Sequence, residues 1–408
     1  MKLLQIVVEG NTGSTGVVAE SLGNIAMKMG WESYIAHGRF SRASNSVIIK
    51  IGRTIDILWH GIETRIFDRH GLGSRRATKK LISQIKQIKP DIIHLHHLHG
   101  YYINIKFLFE YLKTSKIPIV WTFHDCWAFT GHCAYFDFVG CTKWQSECFK
   151  CPQKTDYPAS FFLDRSNKNF HLKKLLFTSI PNLYIVTVSD WLNKLVYESF
   201  FKGIKIKTIY NGTNLDIFKP YDNIDNLREK YNIPNKFVIL GVASPWVRRK
   251  GLSEFIKLSA CLKSDEVIVL VGLNFSQMKN LPSNIIGISK TENRQQLAEI
   301  YSSSDVFANL TLEDNFPTTN IEALACGTPV ITYNTGGSPE AICSKTGIVV
   351  DKYSIASLIN AIDEIKRIGK VNYIANCRKR AETYFMSDKQ YLNYFELYKE
   401  IINSNDCI

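Results

Sequence analysis

The sequence predicts an α/β protein built from two doubly wound domains that face a cleft, and three observations support this. Short apolar runs alternate with longer helical stretches along the chain, which is typical of parallel sheets covered by helices. The chain has 408 residues, which is too long for a single ordinary hydrophobic core. Each apolar run ends at a Gly, His or Asn loop, as the strand tips of parallel sheets do.

The apolar runs predict strands and the periodic stretches predict helices, in chain order. In the first half we expect strands at residues 2–8, 33–37, 91–97, 117–123, 184–188 and 207–210, with helices near 17–29 and 103–113. In the second half we expect strands at 237–242, 267–271, 305–310, 330–333 and 347–350. Its helices are expected at 252–262, 294–302, 320–325, 354–368 and 392–402. Residues 211–236, rich in Asn, Asp and turn dipeptides, predict the linker.

The predicted domain boundary lies between residues 210 and 211. Residues 1–210 form the first domain, which carries a Cys-rich insert at about 126–155. Residues 211–387 form the second domain. The C-terminal helix, at about 388–408, is expected to pack back on the first domain.

Composition limits the classes of protein that are compatible with the chain. Hydrophobic residues make up 45% and charged residues 21%, which indicates a globular protein. No window has the ~20 apolar residues of a membrane helix, and the N-terminus is interpreted as a buried strand rather than a signal peptide. We therefore expect the protein to be located in the cytoplasm.

The net charge of +13 favours acidic partners. No nucleic-acid-binding pattern is present. A basic cluster at residues 65–80 indicates peripheral docking at the inner membrane face, with a solvated basic surface as the alternative.

The most informative stretch is residues 314–330, which places Asp314 eight positions before Glu322. Asp314 lies on a Pro-containing loop, and Glu322 on a short helix that Gly327 ends. A loop after a strand, followed by a helix N-terminus, is where open α/β sheets bind nucleotides. Two carboxylates at that place can hold the hydroxyls of a sugar and a ribose.

Two further loops follow strands. Gly10, Gly13 and Gly16 lie between the first strand and a helix, where glycines let the backbone approach an anion. Their spacing differs from the dinucleotide fingerprint, and no Walker lysine follows. After the first strand of the second half come three basic residues that can neutralise a diphosphate, namely Arg248, Arg249 and Lys250.

Histidines follow two strands of the first half. His124 and Asp125 end a buried strand, so that His124 can hydrogen-bond a reacting sugar or relay a proton. His94, His96, His97 and His99 precede Gly100; strand alternation separates them, so we expect a loop that lines a sugar or acceptor and not a metal site.

Four cysteines lie close together in the sequence: Cys133, Cys141, Cys148 and Cys151. Cys148 and Cys151 have the two-residue spacing of structural zinc ligands. Disulfides are disfavoured in a reducing cytoplasm. The pattern is compatible with a structural zinc site that pins the insert and, equally, with unligated thiols.

Together these motifs resemble the GT-B glycosyltransferases, specifically the retaining family 4. The resemblance covers almost the whole chain. It rests on Gly13 and Gly16, Thr122-Phe-His124-Asp125, Val188-Ser189, Tyr210-Asn-Gly212, Arg249-Lys250-Gly251 and the stretch 314–330. The Cys-rich insert and Asn315-Phe316-Pro317 resemble a bacterial polysaccharide-assembly subgroup. Two positions depart from the family: Asp314 replaces the usual Glu, and Pro245 replaces the usual Arg.

The resemblance implies roles for individual residues. Glu322 would hold the nucleotide ribose, Asp314 would contact the donor sugar, and Lys250 with Arg248 or Arg249 would stabilise the leaving diphosphate. Gly13 would approach the donor phosphates, and His124 would lie beside the transferring sugar. The backbone amides of the loop would hold the sugar and phosphate; these residues are Asn315, Phe316, Pro317, Thr318 and Thr319.

The implied activity is retaining transfer of a sugar from a nucleotide-sugar donor to a saccharide acceptor, lipid-linked, in surface polysaccharide synthesis. No cofactor would be required for catalysis, and nucleic acid would not be a partner. The alternatives are another GT-B activity, such as a nucleotide-sugar epimerase, or a non-catalytic sugar-binding protein.

Overall fold

The computed structural model describes residues 1–221 and 225–405, and the chain divides into two compact units. The first unit is Met1–Tyr210 with the segment that begins at Tyr391, and the second is Asn211–Gln390. Residues 222–224 of the predicted linker and 406–408 of the predicted last helix lie outside the described residues.

A parallel seven-stranded sheet forms the centre of the first unit, in the order β3-β2-β1-β4-β5-β6-β7. The strands are β1 (Lys2–Val7), β2 (Glu32–His37), β3 (Val47–Lys50), β4 (Ile92–Leu95), β5 (Ile119–Phe123), β6 (Leu183–Thr187) and β7 (Lys205–Thr208). The helices are α1 (Gly13–Lys28), α2 (Thr54–Phe67), α3 (Arg75–Ile88), α4 (Ile105–Ser115), α5 (Ser166–Phe177) and α6 (Asp190–Glu198). The strand order reverses between β1 and β4, so the loops after these strands flank the switch point where such sheets bind ligands.

The second unit repeats this plan with six parallel strands, in the order β10-β9-β8-β11-β12-β13. The strands are β8 (Phe237–Val242), β9 (Glu266–Val271), β10 (Ile285–Ile288), β11 (Val306–Asn309), β12 (Val330–Tyr333) and β13 (Gly347–Val350). The helices are α7 (Asp225–Lys230), α8 (Leu252–Ser259), α9 (Phe275–Lys279), α10 (Arg294–Ser303), α11 (Thr318–Ala325), α12 (Ile355–Ile368) and α13 (Val371–Tyr384). Here the order reverses between β8 and β11.

The last helix, α14 (Ser387–Asn405), completes the core of the first unit. Its buried aromatic residues pack in one cluster with β1 and α1; they are Tyr391, Tyr394, Phe395 and Tyr398. Each large apolar side chain removed from water contributes ~1.5–3 kcal/mol. The Tyr398 hydroxyl also lies 2.6 Å from Nδ1 of His94 on β4.

The predicted fold class is confirmed, but several predicted boundaries are wrong. The strand predicted at 91–97 is only Ile92–Leu95, so His96 and His97 lie beyond it. The linker predicted at 211–236 contains α7. The helix predicted at 17–29 begins earlier, at Gly13, so that Gly13 and Gly16 lie in its first turn. Within the two described ranges, no helix has both the length and the apolar character needed to cross a bilayer.

Candidate functional site

The basic loop after β8 is tied to the loop after β11, at the switch point of the second unit. Arg248–Lys250 form a 3₁₀ turn that Gly251 ends with φ of 76°. A Cβ on Gly251 would lie 2.0 Å from the Leu310 carbonyl oxygen, so only glycine fits. The Arg249 carbonyl accepts hydrogen bonds from the Leu312 N–H at 2.7 Å and the Thr311 hydroxyl at 3.1 Å. The two loops therefore form one rigid platform.

On this platform, Lys250 and Arg249 converge on Asp314. The Lys250 ammonium donates to Asp314 Oδ2, and Arg249 Nη1 lies 3.7 Å from the same oxygen. Arg249 Nη1 also donates to the Glu313 carbonyl at 2.9 Å. Burial raises the pKa of Asp314, but Lys250 and Arg249 oppose this effect and hold the pKa below its usual value. Arg248 is exposed. The group therefore concentrates two cations at the tips of the central strands.

A glycine pair after β12 closes this platform, and the sequence analysis missed it. The Gly337 N–H donates to the Asp314 carbonyl at 3.2 Å. Gly336 has φ of 55°, and a Cβ there would lie 1.8 Å from the same oxygen. Two successive glycines in the loop after the strand predicted at 330–333 could have indicated such a close backbone approach.

Glu322 lies on α11, which begins after the loop that carries Asp314. The Tyr301 hydroxyl donates to Glu322 Oε2 at 3.3 Å. Burial raises the pKa of Glu322 to about 7, although Arg294 and Tyr301 act in the opposite direction. Helix α11 is fixed by Asn320, whose amide donates to the Ser338 hydroxyl at 3.0 Å. Glu322 is therefore a poorly solvated carboxyl that can accept hydrogen bonds from hydroxyl groups once it is ionised.

The intervening loop residues are placed in different ways. Asn315, Phe316 and Pro317 are buried, and Phe316 packs against Phe385 with ring centroids 5.7 Å apart. Thr318 and Thr319 form the half-buried first turn of α11, whose N-cap has no side-chain hydrogen bond. Thus the backbone amides of this turn are the groups that the loop can offer to an anion.

In the first unit, the glycine loop after β1 leads into α1. Gly13 has φ of 64°, and a Cβ there would lie 2.7 Å from a Glu9 carboxylate oxygen. A Cβ on Gly16 would lie 2.5 Å from the Glu9 carbonyl oxygen. Glycine is thus required at position 16 for α1 to approach the end of β1, and it is favoured at position 13 by the left-handed backbone. Their role towards a donor stays a prediction.

The histidines after β4 and β5 form one network at the switch point of the first unit. His124 Nε2 lies 3.2 Å from His96 Nδ1, and His96 Nε2 lies 3.1 Å from the Gln5 amide oxygen. Burial and the neighbouring histidines lower the pKa of His124 well below its usual value. A lowered pKa favours the neutral imidazole, which can hydrogen-bond a hydroxyl group. By contrast, His94 is enclosed between Tyr398 and Thr122, which gives it a structural role.

Two histidines converge on Asp125, contrary to the expectation from strand alternation. Asp125 Oδ2 lies 2.6 Å from His99 Nε2 and 3.2 Å from His97 Nε2. Among the described residues, these three form the one group of at least three His, Cys, Asp or Glu side chains whose ligand atoms all lie within 4.8 Å of one another. Convergence is possible because His97 and His99 lie in the loop beyond β4, where strand alternation no longer applies. Tyr157, which the sequence analysis missed, reaches His99 Nδ1 at 3.0 Å.

The four cysteines of the insert all line one small cavity of about 10 Å³ in the first unit. All four are free thiols: Cys133 and Cys148 are buried, while Cys141 and Cys151 are half-buried. No three of their four sulfur atoms lie within 4.8 Å of one another. Whether they bind metal stays a prediction.

Known proteins are similar to this chain in both sequence and fold. The family description Glycosyltransferase Family 4 matches residues 15–217, and Glycosyl transferases group 1 matches residues 223–383. The putative colanic acid biosynthesis glycosyl transferase WcaC of Escherichia coli K12 is 22% identical over 98% of this chain and all of that protein. The UDP-Gal:alpha-D-GlcNAc-diphosphoundecaprenol alpha-1,3-galactosyltransferase of Escherichia coli is 26% identical over 51% of this chain and 57% of that protein.

Two solved structures illustrate the shared fold. Sucrose-phosphate synthase of Thermosynechococcus elongatus has a TM-score of 0.72, with 17% identity over 99% of both chains. HepE of Anabaena, solved in complex with UDP, has a TM-score of 0.68, with 15% identity over 98% of this chain and all of that one. Two doubly wound parallel sheets of this kind define the GT-B class. The chain belongs to the GT-B glycosyltransferases of the family 4 type, since the two family matches together span nearly all of it.

Proposed function

We propose that this glycosyltransferase moves a sugar, with retention of anomeric configuration, from a nucleotide-sugar donor to a lipid-linked saccharide during assembly of a surface polysaccharide. The names of the two Escherichia coli relatives support the pathway and the lipid-linked acceptor. HepE has been solved with UDP-glucose, which supports a nucleotide-sugar donor. The proposed place of action is the cytoplasmic face of the inner membrane.

One observation carries the donor site: Arg249 and Lys250 meet Asp314 at the switch point of the second unit. In the proposed reaction the bond from the anomeric carbon to the diphosphate breaks, and the acceptor oxygen bonds to that carbon on the same face. The acceptor proton passes to the departing phosphate oxygen. Negative charge on the diphosphate grows as the bond breaks, so fixed cations stabilise the transition state more than the bound donor. No protein nucleophile is needed in this route.

The remaining site residues would orient the two substrates. Glu322 would accept hydrogen bonds from the ribose hydroxyls, and the first turn of α11 would hold donor phosphate. Lys250 occupies part of the Asp314 carboxylate, and the remaining lone pairs of this carboxylate would contact the donor sugar. On the first unit, His124 would hydrogen-bond a sugar hydroxyl through its imidazole, whose pKa burial lowers well below its usual value.

An exposed apolar surface on the first unit supports the proposed lipid-linked acceptor. The two faces of helix α2 have the reverse of the usual polarity. Its buried face carries polar or small residues, namely His60, Gly61 and Thr64. Its exposed face carries a stripe of large apolar residues, here called the α2 stripe: Ile55, Leu58, Trp59, Ile62 and Ile66. The neighbouring residues 161–163 add Phe161, Phe162 and Leu163, each at least 50% exposed.

The occupant that fits the α2 stripe is an anionic bilayer. The Phe161 N–H donates to the Arg65 carbonyl at 2.8 Å, so residues 161–163 lie beside the end of α2. The basic residues of α3 are exposed, and Arg75 reaches Glu63 of α2 at 3.8 Å. Apolar side chains with flanking cations are the features of interfacial membrane binding.

Binding and turnover of nucleotide sugars test the proposed function. Thermal-shift and calorimetric titrations with UDP-, GDP- and ADP-sugars should reveal one preferred nucleotide class, whose binding weakens in Glu322→Gln. Release of the nucleotide should then depend on an added lipid-linked saccharide. Lys290→Met, which removes an exposed lysine of the second unit, is the matched control. Binding without acceptor-dependent release would favour a sugar-binding protein, and epimerised donor without transfer would favour an epimerase.

A further inference from the structure

We propose that the cysteine-rich insert of the first unit is a structural zinc site, with Cys133, Cys141, Cys148 and Cys151 as its thiolate ligands. Cys133, Cys141 and the closely spaced pair Cys148 and Cys151 come from three parts of the insert, and all four line the same cavity of about 10 Å³. A space of this size holds about one water molecule or a small ion. The chain thus gathers four soft ligands around a space that fits one metal ion.

The backbone around these cysteines is already fixed. The Cys151 N–H donates to Asp164 Oδ2 at 2.8 Å, and Lys143 donates to the Phe149 carbonyl at 3.0 Å. A Cβ on Gly131 would lie 2.7 Å from the Cβ of Cys148, so the turn before Cys133 packs closely on the Cys148 segment. Rotation of the cysteine side chains is therefore the movement that closes the sulfurs to a tetrahedral site with Zn–S bonds of about 2.3 Å.

Two buried basic side chains lie close to the cavity: His132 lines it, and Lys173 donates to the carbonyl of Thr130, which also lines it. Lys173 is 2% exposed and donates only to carbonyl groups, of Trp127 at 2.7 Å and Thr130 at 3.1 Å. Its ammonium also lies 3.5 Å from the centroid of the Trp127 ring, and among the described residues no ion pair includes it. A buried ammonium is costly unless it is paired. A zinc ion with four thiolates carries two negative charges and supplies that partner.

His132 offers one ring nitrogen to the proposed site. Its Nδ1 lies 2.6 Å from Asp68 Oδ1, and the side chains of both residues are fully buried. His132 lines the cavity, and its Nε2 has no hydrogen-bond partner in the described part of the chain. With Asp68 fixing one nitrogen, the other is oriented to donate to a thiolate.

The chemistry favours zinc over the other fates of four close thiols. Sets of four sulfur ligands bind zinc or iron–sulfur clusters. One ion-sized cavity fits a single metal better than a cluster with its own sulfides. Bound zinc would fix the segment that ends at residues 161–163 and that carries Tyr157, the partner of His99.

Metal content of the untagged full chain tests this proposal. We expect about one zinc and no iron per chain by mass spectrometry, and loss of that zinc in Cys148→Ser and Cys151→Ser. The control Cys261→Ser removes an exposed cysteine of the second unit and should keep its zinc. Because the ligand variants could misfold, wild-type protein refilled with cobalt gives an independent test: sulfur-to-cobalt charge-transfer absorption is expected.

Three results would overturn the proposal. The first is wild-type protein whose thiols are free or paired in disulfides, without metal, after expression with zinc. The second is cobalt absorption that lacks the sulfur-to-metal band. The third is zinc that persists in Cys148→Ser and Cys151→Ser but is lost in His97→Ala, which would place the metal on His97, His99 and Asp125 instead.

Discussion

At the residue scale, Lys250 carries the strongest prediction, because its ammonium is the cation in direct contact with Asp314. Lys250→Met should lower kcat by about 100- to 1000-fold, since the lost charge acts mainly on the departing diphosphate. The KM for the donor should change much less. Steady-state kinetics on the preferred donor would measure both. The variant Lys290→Met, at an exposed position, should retain wild-type kinetics, and equal losses in both variants would contradict a specific role for Lys250.

Glu322 predicts a pH dependence of stability that is independent of the substrate. Its folded pKa of about 7 lies above the ordinary value of 4.5, so the folded state holds its proton longer. The contribution of this group to the free energy of unfolding is therefore present below pH 4.5 and is lost as pH rises to about 7. Glu322→Gln lacks this loss, so denaturant titrations should show wild type falling relative to the variant over that window. Parallel curves would contradict the raised pKa.

The same carboxyl predicts the pH dependence of donor binding. Ribose hydroxyls donate to the ionised form, so donor affinity should rise as pH increases through about 7 and then level off. Isothermal titration at several pH values would measure this, with proton release on binding below that pH. In Glu322→Gln the affinity should be lower and insensitive to pH over the same range.

Residue identities were predictable from the sequence where one motif carried them, and less so where folding joins distant segments. Asp314, Glu322 and Lys250 lie in stretches that follow strands, and parallel sheets bring such stretches to one edge. The support from Gly336, Tyr301 and Tyr157 depends on contacts between remote segments, which spacing does not encode. The convergence of His97 and His99 depended on where β4 ends, and strand ends are set by tertiary packing.

At the element scale, α2 has its apolar face towards solvent, and this face predicts membrane binding. Trp59→Glu should weaken binding to vesicles with anionic lipids by about tenfold or more, which corresponds to ~1.4 kcal/mol. Co-sedimentation with vesicles would measure the change. Phe275→Glu is the matched control, because Phe275 is 74% exposed but lies in the second unit. Unchanged binding in Trp59→Glu would show that the α2 stripe does not enter the bilayer.

At the scale of the whole molecule, the chain builds the same sheet plan twice and then returns to the first unit through α14. Four aromatic residues of α14 lie in a core with β1 and α1, although about 360 residues separate them in sequence from that pair of elements. A chain that ends after Gln390 should therefore lose amide protection in β1 and β4 but keep it in β11 and β12. Hydrogen exchange with mass spectrometry would resolve both. A chain that ends after Asn403 keeps the buried face of α14 and should retain protection in both units; equal protection in the shorter chain would mean that α14 adds little to the first core.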